Sequence, residues 1–282
     1  MKKRNWLKIS SALLLSSFLA FGSFHALQAK AASNTFKVGE KFTVSELNMG
    51  DTAYILDYKE VDVTGDTIKD KVMLVGTHDV SQIFADNLNI VVQDGKTKKY
   101  SKATYEGFCG YIDDTPLFIG DFTGDKIKDV MVEAATGGSG GFTNYIIASF
   151  KDNKPAVVFD EKDNEGIKIE GKYIDGFKAD MTIKNMNKKF LLDLSVNKDK
   201  YIELGIYDQS GKLLEETAPY MGPFSFLEPR DYNCDGVYDL KGSQRIVGVW
   251  NADTLSFIDS ILKYENGDWK IEELQYSNYL IK

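Results

Sequence analysis

The chain is poor in the residues that staple or arm a small protein. Among 282 residues there are two cysteines, two histidines and five prolines. Cys109 and Cys234 permit one disulfide at most, which excludes a cysteine-stapled miniprotein, and a chain this long buries a core without a staple. Beyond residue 31 the only histidine is His78, which follows the apolar run KVMLVGT and reads as a surface residue. A Ser-His-Asp or Cys-His catalytic group would have to be built around it. No serine is marked as its partner, and zinc sites of His and Cys are starved of ligands. After residue 24 there is no apolar run of the roughly 20 residues that cross a bilayer. No basic stripe interrupts the acidic composition, so nucleic acid is not an expected partner.

What is there begins with a leader. Residues 1–8 carry Lys2, Lys3, Arg4 and Lys8 and no acid, and residues 9–24 are apolar or small. Ala29 and Ala31 then fit a small-x-small cleavage pattern. Basic start, apolar middle and small-residue end are the parts of a secretory signal. Residues 1–31 are therefore expected to be a signal peptide, and residues 32–282 a single β-repeat domain. That domain is expected outside the cell, secreted or associated with the cell wall, with no membrane insertion after cleavage. The removed segment holds five Lys or Arg and no Asp or Glu, so cleavage takes the formal charge from −8 to −13.

Strand signals dominate the rest. Short runs rich in Val, Ile, Tyr, Phe and Thr recur between Asp, Asn and Gly, among them TAYILDY, LNIVVQD, PLFIGDF, VMVEAAT, YIIASFK, FLLDLSV, YIELGIY and LSFIDSILKYE. No long stretch keeps a helical period. The expected class is all-β. Four tight-turn pairs, Asp94-Gly95, Asp152-Asn153, Ser210-Gly211 and Asn266-Gly267, each lie between apolar runs and read as hairpins, at spacings of 58, 58 and 56 residues. That regularity predicts about four antiparallel repeats of roughly 58 residues, near 50–108, 109–166, 167–222 and 223–282. Residues 33–60 are expected to lend a strand to the last repeat.

A second signal keeps step with three of the turns. DVTGDTIKD, DFTGDKIKD and DYNCDGVYD place Asp at positions 1, 5 and 9 of a nine-residue loop: Asp62, Asp66 and Asp70, then Asp121, Asp125 and Asp129, then Asp231, Asp235 and Asp239. Position 3 is Thr64, Thr123 or Asn233, an amide or hydroxyl oxygen. Position 7 is Ile68, Ile127 or Val237, which offers a backbone carbonyl while its side chain pins the loop. Ca²⁺ takes six to eight hard oxygens in flexible geometry, and three carboxylates without a cation would crowd like charges. These fifteen residues are the expected Ca²⁺ ligand set. An EF-hand is excluded, because position 12 is Met73, Val132 or Gly242 and the context is strand. Near residue 178 the sequence DGFKADMTIKN keeps Asp175 and Asp180 but loses the spacing, so the third repeat keeps its strands without the loop.

The run FIGDFTGD, from Phe118 to Asp125, and the stretch VMVEAATGGSGGFTNYIIASF after it resemble the FG-GAP and VCBS repeats of exported bacterial proteins and integrin alpha subunits. The resemblance implies a β-propeller-like arrangement with Ca²⁺ in each blade's loop, serving adhesion or recognition. Two features depart from it: four repeats are fewer than seven blades, and position 6 is Thr67 or Lys126 in the first two loops instead of glycine.

The glycine run from Gly137 to Gly141 lacks the Gly-Lys-Ser/Thr ending of a phosphate cradle and reads as a hairpin turn. Aromatics, Trp250 and Trp269 among them, suit sheet packing or a binding face. The expected function is a non-catalytic, calcium-binding module at the cell surface whose partner is a protein or carbohydrate of the envelope. The alternatives are a secreted carboxylate-dependent hydrolase and a structural envelope or spore-coat component.

Overall fold

A computed structural model describes residues 36–79, 81–111 and 116–278. Among these, period-two alternation and β-branched runs give sixteen strands. Each antiparallel sheet keeps its strands nearly in sequence order because short turns join them. The expected signal peptide lies outside the described residues. The class is all-β, with 51% strand against 9% helix.

The first sheet holds β1 (Ala53–Val61), β2 (Asp70–Thr77), β3 (Phe84–Gln93) and β4 (Tyr100–Ala103) in that order, with β5 (Gly110–Tyr111) also paired to β3. The second holds β6 (Leu117–Gly120), β7 (Asp129–Ala135), β8 (Thr143–Ser149) and β9 (Ala156–Phe159). The third has β10 (Ile169–Ile174), β11 (Lys178–Ile183) and β12 (Lys188–Asp193), and the fourth β13 (Tyr220–Arg230), β14 (Asp239–Val247), β15 (Thr254–Glu265) and β16 (Asp268–Ser277). All strand pairs among the described residues are antiparallel, and no sheet closes into a barrel. Two short helices, α1 (Glu161–Asn164) and α2 (Lys198–Glu203), flank the third sheet.

The shared cores give the order of packing. Val72, Leu74 and Ile90 of the first sheet meet Val130, Val132 and Ile146 of the second. The opposite face of the second sheet, Met131, Tyr145 and Ile147, packs on Phe224, Leu240 and Leu262 of the fourth. The same fourth sheet then covers Tyr173, Met181 and Leu192 of the third with Ile246, Leu255 and Ile258. The packing order is therefore first, second, fourth, third. Strands β2 and β7, covered on both faces, are buried almost continuously, whereas β14 alternates because one of its faces meets water.

Three sequence expectations are corrected. Residues 36–49 do not complete the last sheet: Phe42 packs on Ile55, Met73 and Val75, covering the outer face of the first. Most of YIELGIY is not strand, because α2 takes Lys198–Glu203 and the Tyr201 hydroxyl donates to buried Asp253 at 2.5 Å. Ser210-Gly211 consequently joins only an isolated bridge between Tyr207 and Leu213, not two strands. Asp94-Gly95 and Asn266-Gly267 do lie between paired strands, and Asp152-Asn153 lies between β8 and β9. Both cysteines are free. His78 is half-buried, with its ring centroid 4.6 Å from that of Tyr54.

Candidate functional site

Each Asp loop joins the first two strands of its sheet: β1 to β2, β6 to β7, and β13 to β14. Position 9 is the first residue of the following strand every time, as Asp70, Asp129 and Asp239. The third sheet turns from β10 to β11 in three residues, which leaves no room for such a loop.

Local hydrogen bonding explains the spacing. The position-1 carboxylate gathers loop N–H groups. Asp62 accepts from Thr64, Gly65 and Thr67, Asp121 from Gly124 and Lys126, and Asp231 from Asp235 and Gly236, all within 2.7–3.1 Å. The position-5 carboxylate accepts from the N–H of position 7 in all three, at 2.8–2.9 Å. Asp70 and Asp129 at position 9 reach back to the N–H groups of positions 2 and 3, at 2.9–3.2 Å. Short acids that bond nearby N–H groups hold turns by this means.

The backbone turns the same way at two positions of all three loops. Positions 4 and 6 are left-handed each time: Gly65 and Thr67, Gly124 and Lys126, Cys234 and Gly236, with φ between 59° and 92°. The missing glycine at position 6 therefore leaves the conformation unchanged. A β-branched residue such as Thr67 is an outlier at positive φ.

The loops also stack. A Cβ on Gly65 would lie 2.6 Å from Ile127, and one on Gly124 would lie 3.9 Å from Val237, so position 7 of each loop rests on position 4 of the one before. Ile68 rests similarly on Gly95, in the β3–β4 turn. Position 7 thus pins its loop to a neighbouring loop or turn, which differs from the pinning to a core that an apolar side chain suggests. The Tyr238 N–H donates to the Asp121 carbonyl at 2.7 Å, and the Asp152 N–H to that of Thr64 at 3.0 Å. Lys151 Nζ sits 2.9 Å from Asp125 Oδ2, and Asn153 Nδ2 donates to Asp94 Oδ2 at 2.9 Å. Lys151, Asn153 and Asp94 were invisible as site residues in the sequence, since they lie in other turns, and the contact of Tyr238 in the third loop with the second was equally so.

Burial separates the loops. Asp70 and Asp129 are fully buried and Asp239 half-exposed. Burial pushes the Asp129 carboxyl up to about 6 against the N–H of Phe122, and raises Asp239 as well. Burial also pushes on Asp125, but Lys151 and the Ile127 N–H outweigh it and hold that carboxyl below its ordinary value. The Val237 N–H lowers Asp235.

For a cation the fit is best in the second loop. Asp129 Oδ1 and Thr123 Oγ1 are buried there without a hydrogen-bond partner, and so is Thr64 Oγ1 in the first. In the third, Asn233 is engaged with Asp235 at 2.8 and 3.2 Å. Among the described residues no three acidic, His or Cys side chains converge closely enough to hold a metal. Filling a loop therefore requires carboxylates to leave N–H donors, and in the second loop it displaces Lys151 from Asp125.

A model of the YybI C-terminal domain matches residues 167–277, the span of the third and fourth sheets. The uncharacterized protein YybI of Bacillus subtilis strain 168 is 34% identical over 204 residues, covering 72% of this chain and 77% of that protein. No solved structure matches. The resemblance to FG-GAP and VCBS repeats is overturned, since no model of that family matches and the YybI model does. The physical reason is that the Asp spacing serves each loop's own N–H groups, so the motif reports turn geometry and not descent.

Proposed function

This chain belongs to the YybI family, and we propose that it is an exported, non-catalytic binding module whose three Asp loops take Ca²⁺. The observation that carries the reading is the left-handed pair at positions 4 and 6, repeated in every loop. A sharp turn at position 6 is what lets a calcium loop point successive oxygens at one ion. The partnerless oxygens of Thr64, Thr123 and Asp129 support it. Side chains at positions 1, 3, 5 and 9 with the carbonyl of position 7 would hold the ion. It would supply positive charge that cancels carboxylate crowding and locks the loops between strands. The stacked loops and shared cores support an open, propeller-like succession of sheets. Export is supported by the basic, apolar and small-residue order of residues 1–31. The partner is a protein or carbohydrate of the cell envelope.

Extracellular calcium modules work with sites of about 10⁻⁴ to 10⁻³ M. Calorimetry at millimolar Ca²⁺ should count close to three ions per chain and show a rise in melting temperature. At ten times Kd each site adds about 1.4 kcal/mol. Asp125→Ala should remove one ion and part of that rise. A count of zero, with melting unmoved by chelator, ends the calcium reading.

A further inference from the structure

Beside the first sheet, away from the Asp loops, lies a cleft of about 540 Å³ between the Asn48-Met49 turn, β3 and the end of β4. Its lining is amide and hydroxyl: Asn48, Asn87 and Asn89 with Thr77 and Thr104, and one charge of each sign, Lys102 and Glu106. Several of these groups bond among themselves and to the nearby backbone. Asn89 Nδ2 donates to the Asn87 carbonyl at 2.6 Å, and Asn87 Nδ2 to Thr77 Oγ1 at 3.0 Å. The Thr77 hydroxyl donates to the Asp86 carbonyl at 3.0 Å, and that of Thr104 to the Leu88 carbonyl at 2.6 Å. What remains is neutral and of both kinds: amide and hydroxyl oxygens, second amide N–H groups, and the buried Tyr105 hydroxyl, which has no partner. Asn89 is 5% exposed, yet its Oδ1 has no partner. A buried acceptor left without a donor is costly and calls for a partner.

We propose that this cleft binds a neutral glycan, whose hydroxyls donate to Asn89 Oδ1 and to the amide and hydroxyl oxygens around it. Lys102 and Glu106 offset one another, so neither an anion nor a cation meets a net charge that favours it. Hydroxyl groups donate without charge and match the lining. The volume lies within the range of small-ligand sites, and Met49 and Tyr105 supply carbon surface for the ring C–H faces. The backbone opens the strand at this point, since Asn87 stands at φ 50° where the β2–β3 register shifts, a bulge beside the cleft. The proposal rests on the binding-module reading and names the ligand class and the place.

The test is calorimetry of the full chain in millimolar Ca²⁺ with two soluble neutral probes, the N-acetylglucosamine tetramer and mannotetraose. At least one should bind. Asn89→Leu keeps the branched shape and removes the acceptor together with the Nδ2 donation to the Asn87 carbonyl, so binding should weaken about tenfold or more. Asn87→Gly, which keeps the left-handed backbone, should weaken binding in the same direction. Should Asn89→Leu melt early, Asn87→Gly decides alone. Two silent probes at about 10 mM, or variants that bind like the parent, overturn the proposal. Calcium counted in the same samples keeps the readings apart. Three ions without glycan binding sinks only the cleft, and glycan binding without calcium sinks only the loops.

Discussion

The first two Asp loops and the third share a spacing and two left-handed positions, yet they live in different surroundings. Those of the first two sheets are closed over by neighbours: Ile127 lies on Gly65, Val237 lies on Gly124, and their position-9 carboxylates are fully buried. The third is last in the row. Its position 4 is an exposed cysteine, and its glycine has moved to position 6. Two left-handed residues are needed per loop, and one glycine is supplied. Where glycine goes follows the neighbour: at Gly65 a side chain cannot fit, while at Cys234 it meets solvent. Stacking decides the matter at Gly65, whereas at Gly124 the neighbouring Val237 stands off at 3.9 Å and leaves room for a Cβ.

The largest expected effect tests that account. Gly65→Ala combines positive φ with a Cβ 2.6 Å from Ile127, and should destabilise by about 2–4 kcal/mol. Gly124→Ala meets Val237 at an ordinary 3.9 Å and should cost only the backbone term, about 1–2 kcal/mol. Equal losses in urea unfolding would remove stacking from the explanation.

Next comes the buried carboxylate that the third loop lacks. Asp129 has a folded pKa raised to about 6 by burial, against roughly 3.9 in an unfolded chain. Between those values the folded state holds the extra proton, so without metal its contribution falls as pH rises from about 4 to 6, by roughly 2 kcal/mol in all. Asp129→Asn should flatten the difference between pH 4 and pH 6.5 in chelator. Saturating Ca²⁺, which favours the charged form, should do likewise in the parent. A parent and variant with parallel pH profiles would show Asp129 to be ordinary.

The smallest effect concerns position 6. Thr67→Gly and Lys126→Gly relieve left-handed strain in the first two loops and should stabilise by about 0.5–1 kcal/mol after the flexibility of glycine is offset. The reverse change, Gly236→Thr in the third loop, should lose a similar amount. Thermal melts of the three variants read this directly.

Much of the fold was legible from residues alone, for local reasons. Runs such as KVMLVGT and LSFIDSILKYE are strands because β-branched and apolar residues suit a pleated, half-buried surface. The Asp loops were legible because each carboxylate serves N–H groups within a few positions of itself. YIELGIY misled because its alternation suits a strand, while the contact that turns it helical, Tyr201 to Asp253, spans 52 residues. The glycan cleft left no mark, since its amides and hydroxyls come from four segments with no fixed spacing between them.

The all-β class, the three loops and their place between strands are written in the residues, because hydrogen bonds and propensities act over a few positions. Three other features were settled by the packed chain alone: the fourth sheet lies on the second ahead of the third, Lys151 faces Asp125, and residues 36–49 cover the first sheet. Those choices depend on which apolar faces meet when the chain collapses. Burial is not directional, so no local pattern of residues names its partner.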